Sequence, residues 1–172
     1  PDAPQSFGNF LRIRIFDKVP FKNVYYLNGH ATDLEEECTR YTSLLSQFPT
    51  DIVCLGIGEN GHIAFNDPDV ANFNDHKLVK IVKLDHVCRQ QQVNEKCFET
   101  LEQVPTEALT LTIPALLKAK WMFCIVPFKN KAQAVYRTIH GDISEKCPAS
   151  ILRRKEKSSL YLDTESAQLL NL

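Results

Sequence analysis

Cys54 to Pro68 reads CLGIGENGHIAFNDP. Within it His62 and Asp67 stand five positions apart, directly after Gly56, Gly58 and Gly61. An imidazole with a nearby carboxylate is a proton-transfer pair, because the carboxylate fixes the tautomer and raises the basicity of the ring. Asn60, two positions before the histidine, cannot ionise and would contribute by hydrogen bonding alone. The bland alternative is a histidine that only hydrogen-bonds its own loop. A glycine-rich loop at the end of a strand favours the catalytic reading.

The three glycines also spell G-x-G-x-x-G, a dinucleotide-binding pattern when a strand precedes it and a long helix opens at its last glycine. The strand is expected. The helix is not, because Pro68 disfavours helix at Asp67 and ends any helix nearby. The acidic residue wanted about 20 positions further on has only Asp75 or Asp85 to fill it, neither at the end of a convincing strand. The glycines instead suit a backbone that turns sharply and approaches a ligand closely.

These residues need a frame. Asp51 to Leu55 is a short apolar run with β-branched residues, the pattern of a buried parallel strand. Its C-terminal end is where open α/β sheets hold ligands. Further strands are predicted at Val24–Leu27, Lys77–Leu84, Ala108–Ile113, Trp121–Val126 and Leu160–Leu162. Lys77–Leu84 reads with apolar residues on one side and lysines on the other. Trp121 and Phe123 are expected in a core strand. Helices are predicted from Phe7 to Val19 capped by Ser6, from Asp33 to Phe48, and from Asp85 to Val93. Others are expected after Pro114, from Lys129 to His140 with Gly141 as the stop, and after Pro148. Strands alternating with helices give an α/β fold: an open, mainly parallel, Rossmann-like doubly wound sheet in a single domain over residues 1–172.

Composition excludes several classes. The chain has 172 residues, 44% hydrophobic and 24% charged, with net charge −1, so a packed core is expected and disorder is not. Glu35–Glu37 and Arg153–Lys155 read as solvated helix faces, and no basic cluster supports a nucleic-acid partner. No stretch is long and apolar enough for a membrane span, and no signal peptide is visible. The six cysteines show no C-x-x-C pair, Cys54 and Cys124 lie in apolar runs as small hydrophobes, and a reducing, cytoplasmic setting is expected. Five scattered histidines with no i,i+4 pair give no metal signature. His30, His76, His86 and His140 are expected at the surface or in turns.

Leu55 to Pro68, LGIGENGHIAFNDP, closely resembles the signature of the glucosamine-6-phosphate deaminase (isomerase) family, LGxGxxGHIAFNEP. Tyr26–Gly29, Leu84–Arg89, Ala108–Leu117 and the segment from Lys131 to Gly141 resemble further family segments in order, so the likeness covers nearly the whole chain. It implies conversion of glucosamine 6-phosphate to fructose 6-phosphate and ammonia by acid–base chemistry without a cofactor. His62 matches the family's ring-opening histidine and Asp67 the glutamate that assists it. Asn60 sits where some members carry an aspartate of the same relay. Asp67 is one methylene shorter than that glutamate, which puts its reach to His62 in question. Arg89 matches the phosphate arginine and Lys131 the phosphate lysine; a guanidinium fork and an ammonium both suit a phosphate ester. Without the resemblance both would read as solvated surface charges. A homo-oligomer is the family expectation.

The opening Pro-Asp-Ala-Pro-Gln-Ser-Phe resembles the sequence just after the family's Asp-Glu-Tyr motif, so the chain reads as the C-terminal larger part of a member. The phosphate loop and the carbon base would then lie outside it. Sister activities on the same fold are 6-phosphogluconolactonase and isomerisation of galactosamine 6-phosphate. The lactonases read GHTASLFP after the glycines, unlike this chain. A non-catalytic sugar-phosphate-binding domain is the alternative from another class.

Overall fold

The computed structural model describes residues 6–171. Pro1–Gln5, most of the opening that resembles the sequence after the family's Asp-Glu-Tyr motif, lies outside them.

Three strands form a parallel sheet: β1 (Ile52–Leu55), β4 (Trp121–Val126) and β5 (Ser158–Leu162), in the order β1-β4-β5. Leu55 of β1 registers with Cys124 of β4, and Cys124 with Leu160 of β5. A separate antiparallel pair joins β2 (Val79–Lys83) to β3 (Glu107–Leu111). The α/β class with a parallel sheet is as expected.

Alternation along these strands divides the parallel sheet into two unlike faces. Met122, Cys124 and Val126 point inward, and α5 (Ala132–His140) packs Ala134 and Val135 into the same core. The other face is apolar and open: Ile52 is 56% exposed, Trp121 46%, Ile125 49% and Tyr161 53%. This corrects three expectations. Trp121 is in a strand but outside the core, β1 is a half-exposed edge rather than a buried strand, and Cys54 is exposed. The cause is common to all three, since among the described residues no helix covers that face.

The helix α2 (Leu34–Gln47) starts where the sequence places it. Asp33 accepts from the Glu35 and Glu36 N–H groups at 2.9 and 3.0 Å, a cap that contributes about 1 kcal/mol. Cys38 and Tyr41 pack against Val79 of β2 and Leu109 of β3. Glu37, read as part of a solvated face, is buried: Arg40 grips its carboxylate and the Asn28 N–H donates to it. The strand expected at Val24–Leu27 does not form. Its carbonyls are taken by side chains of α2 instead, Tyr26 by Arg40 and Tyr25 by the Tyr41 hydroxyl. Ser6 caps α1 (Phe7–Leu11), but the α-turn passes into a π-turn at Arg12–Phe16 and stops short of Val19. None of its residues is buried, and a helix this short has little to hold it without packing. In β2 the division into apolar and lysine sides fails, because Val82 on the Lys80 side is buried and Lys80 pairs with Asp75 at 2.8 Å.

The remaining helices carry site residues. They are α3 (His86–Asn94), capped by Asp85, α4 (Ile113–Leu117), capped by Thr112, and α5, which a single 3₁₀ turn at Lys129–Lys131 precedes. Pro148–Arg154 is 3₁₀ rather than α-helical. Among the described residues no helix is long and apolar enough to cross a membrane.

Candidate active site

The glycine loop leaves the C-terminal end of β1 and makes no helix between Gly61 and Lys77. The long crossover helix that a dinucleotide site requires is therefore absent. Two glycines have steric work here. A Cβ on Gly58 would fall inside the imidazole of His62, so the ring lies flat on the glycine backbone. Gly61 has φ of 92°, and a Cβ there would sit 2.8 Å from the Cys147 sulfur. Gly56 meets only ordinary contact, 3.4 Å from the Ile125 carbonyl oxygen.

His62, Asn60 and Asp67 converge. His62 Nδ1 lies 2.8 Å from Asn60 Oδ1 and 3.0 Å from Asp67 Oδ1. The shorter aspartate reaches the ring because the Ile63–Asn66 bridge folds the loop back on itself. The Asn66 amide holds that fold by donating to the Ile63 and Leu111 carbonyls, both at 2.9 Å. Asn66 and Asp67 are fully buried, and His62 is 8% exposed.

The orientation of Asn60 follows from its neighbours. Its Nδ2 donates to Asp67 Oδ1 at 2.9 Å and to Asp85 Oδ2 at 2.8 Å, while its Oδ1 accepts the His62 N–H at 2.9 Å. The reverse orientation would set an oxygen against two carboxylates and an NH₂ against an N–H. Both atoms facing His62 Nδ1 are thus acceptors, so the neutral ring carries its proton on Nδ1 and its lone pair on Nε2. Burial works against ionisation of Asp67, but hydrogen bonds from His62 and Asn60, the His62 charge and the Asp85 N–H outweigh it. The carboxyl is held below its ordinary value.

Two residues of the cluster had no signal in local spacing. Asp85 joins through Asn60, through its N–H to Asp67 Oδ2 at 3.2 Å, and as the cap accepting the Cys88 N–H at 2.6 Å. Cys88, fully buried on α3, directs its thiol at Asp67. Burial first, and then the Asp67 and Asp85 charges, push that thiol up to about 12.

The lysine segment closes on the same loop. β4 ends beside β1, and Phe128, at φ of 81°, turns the chain into Lys129–Lys131. Asn130 donates to Glu59 Oε1 at 2.8 Å, and Arg137 donates to the Glu59 carbonyl at 3.3 Å. Lys131 is buried and meets Glu95 Oε1 at 3.3 Å. The same carboxylate oxygen accepts from Gln91, whose Oε1 takes the Glu59 N–H. Lys131 is thus tied to the glycine loop through Glu95 and Gln91, neither of which stood out in the sequence. Arg89 is less directly placed. Its Nη2 donates to the Leu101 and Val104 carbonyls at 2.6 and 3.0 Å, and its buried Nε has no partner. His30, His76, His86 and His140 are exposed, as expected.

The profile of the glucosamine-6-phosphate isomerases/6-phosphogluconolactonase family matches residues 1–161. A glucosamine-6-phosphate deaminase of Bacillus cereus is 43% identical over 164 residues, 95% of this chain and 61% of that protein. One from Bacillus thuringiensis is 42% identical over the same extent. The chain thus spans about three fifths of the length of the curated relatives it matches. Among solved structures, a monomeric glucosamine-6-phosphate deaminase superposes with TM-score 0.90 at 36% identity, covering 98% of this chain and 69% of that one. The 6-phosphogluconolactonase from Trypanosoma brucei superposes at 0.72 with 20% identity, covering 98% and 69%, a likeness of fold alone.

Proposed function

The chain belongs to the glucosamine-6-phosphate isomerase/6-phosphogluconolactonase family, and on that premise we propose that it carries the acid–base half of a glucosamine-6-phosphate deaminase site. The reaction would turn glucosamine 6-phosphate into fructose 6-phosphate and ammonia. The observation that carries this reading is the buried His62–Asn60–Asp67 relay at the C-terminal end of a parallel strand.

Opening the sugar ring needs one group that takes a proton from the anomeric hydroxyl and returns one to the ring oxygen. His62 suits this task. Its Nδ1–H is committed to Asp67 and Asn60, which leaves Nε2 as the basic nitrogen. As Nε2 takes a proton, the imidazolium is stabilised by the Asp67 carboxylate 3.0 Å away. Asp67 positions the ring and supplies charge, and its lowered pKa keeps it ionised throughout. Asn60 fixes the geometry of both. Lys131 would meet the phosphate, exchanging its Glu95 partner for the ester. Arg89 would add a second cation only by presenting nitrogens other than the Nη2 it uses on the Leu101–Val104 turn.

Deaminase is favoured over lactonase by the 36–43% identities to deaminases against 20% to the lactonase. The test is ammonia release from glucosamine 6-phosphate by the full-length gene product, with fructose 6-phosphate measured alongside. His62→Ala should lower turnover by roughly 10²–10⁴-fold, the usual weight of a general acid–base group.

A further inference from the structure

Cys88 is distant in sequence from His62 and Asp67, yet the three meet in the fold. The imidazole nitrogen, a carboxylate oxygen and the thiol sulfur all lie within 4.8 Å of one another, and all three residues are buried. The geometry points to a binding site for a borderline-soft divalent cation of the Zn²⁺ class, one that captures the proton-relay histidine in an inactive form.

The donor set is the first argument. One imidazole, one carboxylate and one thiolate are the ligand types zinc takes, at about 2.0–2.1, 2.0–2.2 and 2.3 Å. A tetrahedral ion with those bond lengths sets neighbouring donors ~3.3–3.6 Å apart. His62 Nδ1 and Asp67 Oδ1 are 3.0 Å apart, so they would open by about half an ångström. The sulfur, within 4.8 Å of both, would close by no more than about 1.3 Å. Asn60 Oδ1, 2.8 Å from the same nitrogen, offers a fourth donor. A hard cation such as Mg²⁺ would be disfavoured, since it wants six oxygens.

Charge is the second argument. Two carboxylates, Asp67 and Asp85, are held together by the Asn60 amide. Among the described residues no lysine or arginine pairs with either, and His62 is the single cationic candidate. The local field is therefore negative. A divalent ion would take the place of the His62 Nδ1 proton and of the thiol proton, releasing both to solvent and leaving Nδ1, carboxylate and thiolate bound to the metal. Asp85, still hydrogen-bonded to Asn60 and to the Cys88 N–H, would support the first ligands from behind, as carboxylates commonly do.

The inhibitory part of the proposal rests on the deaminase reading; the binding part does not. Metal on Nδ1 withdraws density from the ring and lowers the basicity of Nε2, the nitrogen proposed to open the sugar.

Co²⁺ is the probe, because a thiolate bound to it gives a sulfur-to-metal charge-transfer absorption. The full-length gene product should show that absorption, saturating at one Co²⁺ per chain and reversed by Zn²⁺. Cys88→Ser should abolish it and weaken Zn²⁺ binding by ~100-fold. Asp67→Asn, which keeps shape and removes charge, should weaken the titration at least tenfold, and serves if the serine variant fails to fold. No thiolate absorption at stoichiometric Co²⁺, or absorption that survives in Cys88→Ser, overturns the site. Co²⁺ absorption without any effect of Zn²⁺ on ammonia release, in a protein that does release ammonia, overturns the inhibitory role. Absorption in a protein without deaminase turnover upholds the site and sinks the deaminase reading.

Discussion

His62 Nδ1 stands 3.0 Å from Asp67 Oδ1 across a loop with no helix in it. Five positions apart, these residues would lie on different sides of a helix or strand. They meet because the Ile63–Asn66 bridge folds the intervening residues into a tight turn, with Ala64 at φ of 49°. The short Asp67 side chain thereby suffices.

Removing the Asp67 charge tests this pairing twice. Asp67→Asn should lower turnover by ~100-fold or more, because a neutral amide cannot stabilise the imidazolium. It should also change how stability depends on pH. The native carboxyl titrates below its ordinary value, so its contribution is present above the unfolded value near 3.9 and is lost as pH falls through the native one. The stability gap between wild type and Asp67→Asn, read from denaturant unfolding, should shrink as pH falls below about 4. A gap that widens as pH falls below about 4 would contradict the assignment.

Asn60 is expected to be structurally critical. Asn60→Ala leaves Asp67 and Asp85 without their shared donor, and an unmade buried hydrogen bond costs about 1–3 kcal/mol, more for charged groups. Asn60→Asp adds a third carboxylate and should destabilise at neutral pH more than at pH 4. Urea midpoints at the two pH values decide this.

Gly58 and Gly29 form a matched pair. A Cβ at Gly58 would occupy the His62 ring, whereas one at Gly29 meets nothing within 4 Å. Gly58→Ala should abolish ring-opening activity by displacing the histidine, and Gly29→Ala should leave it within twofold. Equal effects of the two would remove the steric argument for the loop.

Lys131 and Glu95 should act oppositely on substrate affinity. On the proposed role of Lys131, a phosphate ester has to displace Glu95 from it. Glu95→Gln should therefore lower KM several-fold with kcat little changed. Lys131→Met should raise KM tenfold or more. Steady-state kinetics at constant ionic strength separates these outcomes from a merely structural role.

The open sheet face gives a prediction about the 172-residue chain studied by itself. Ile52, Trp121, Ile125 and Tyr161 form a contiguous apolar surface beside the β1 edge. Such a face and edge drive association, so the chain should self-associate with rising concentration. Ile125→Thr with Tyr161→Thr keeps strand propensity and should reduce it. A monodisperse monomer with a cooperative thermal transition would contradict this.

Much of the frame was legible in the sequence because it rests on local rules. Asp33 caps a helix and Asp85 opens another, Pro68 forbids the dinucleotide helix, and the alternation of strands with helices gives the parallel sheet; Thr112, read as part of a strand, is instead the cap of α4. Long-range pairing was not legible. Val24–Leu27 has strand composition, yet Arg40 and Tyr41 take its carbonyls before any neighbouring strand can. Trp121 looks like a core residue, but burial depends on what covers a face. In the site, the motif marks His62 and Asp67, whereas Asp85 and Cys88 arrive across 18 and more residues through tertiary contact. Glu95 escaped notice for the same reason.

The account turns on ammonia release from glucosamine 6-phosphate by the full-length gene product, with fructose 6-phosphate quantified in the same reaction. It predicts equal amounts of both products from wild type and almost none from a folded His62→Ala. Folded wild-type protein that releases neither product, or a His62→Ala variant as active as wild type, would contradict it.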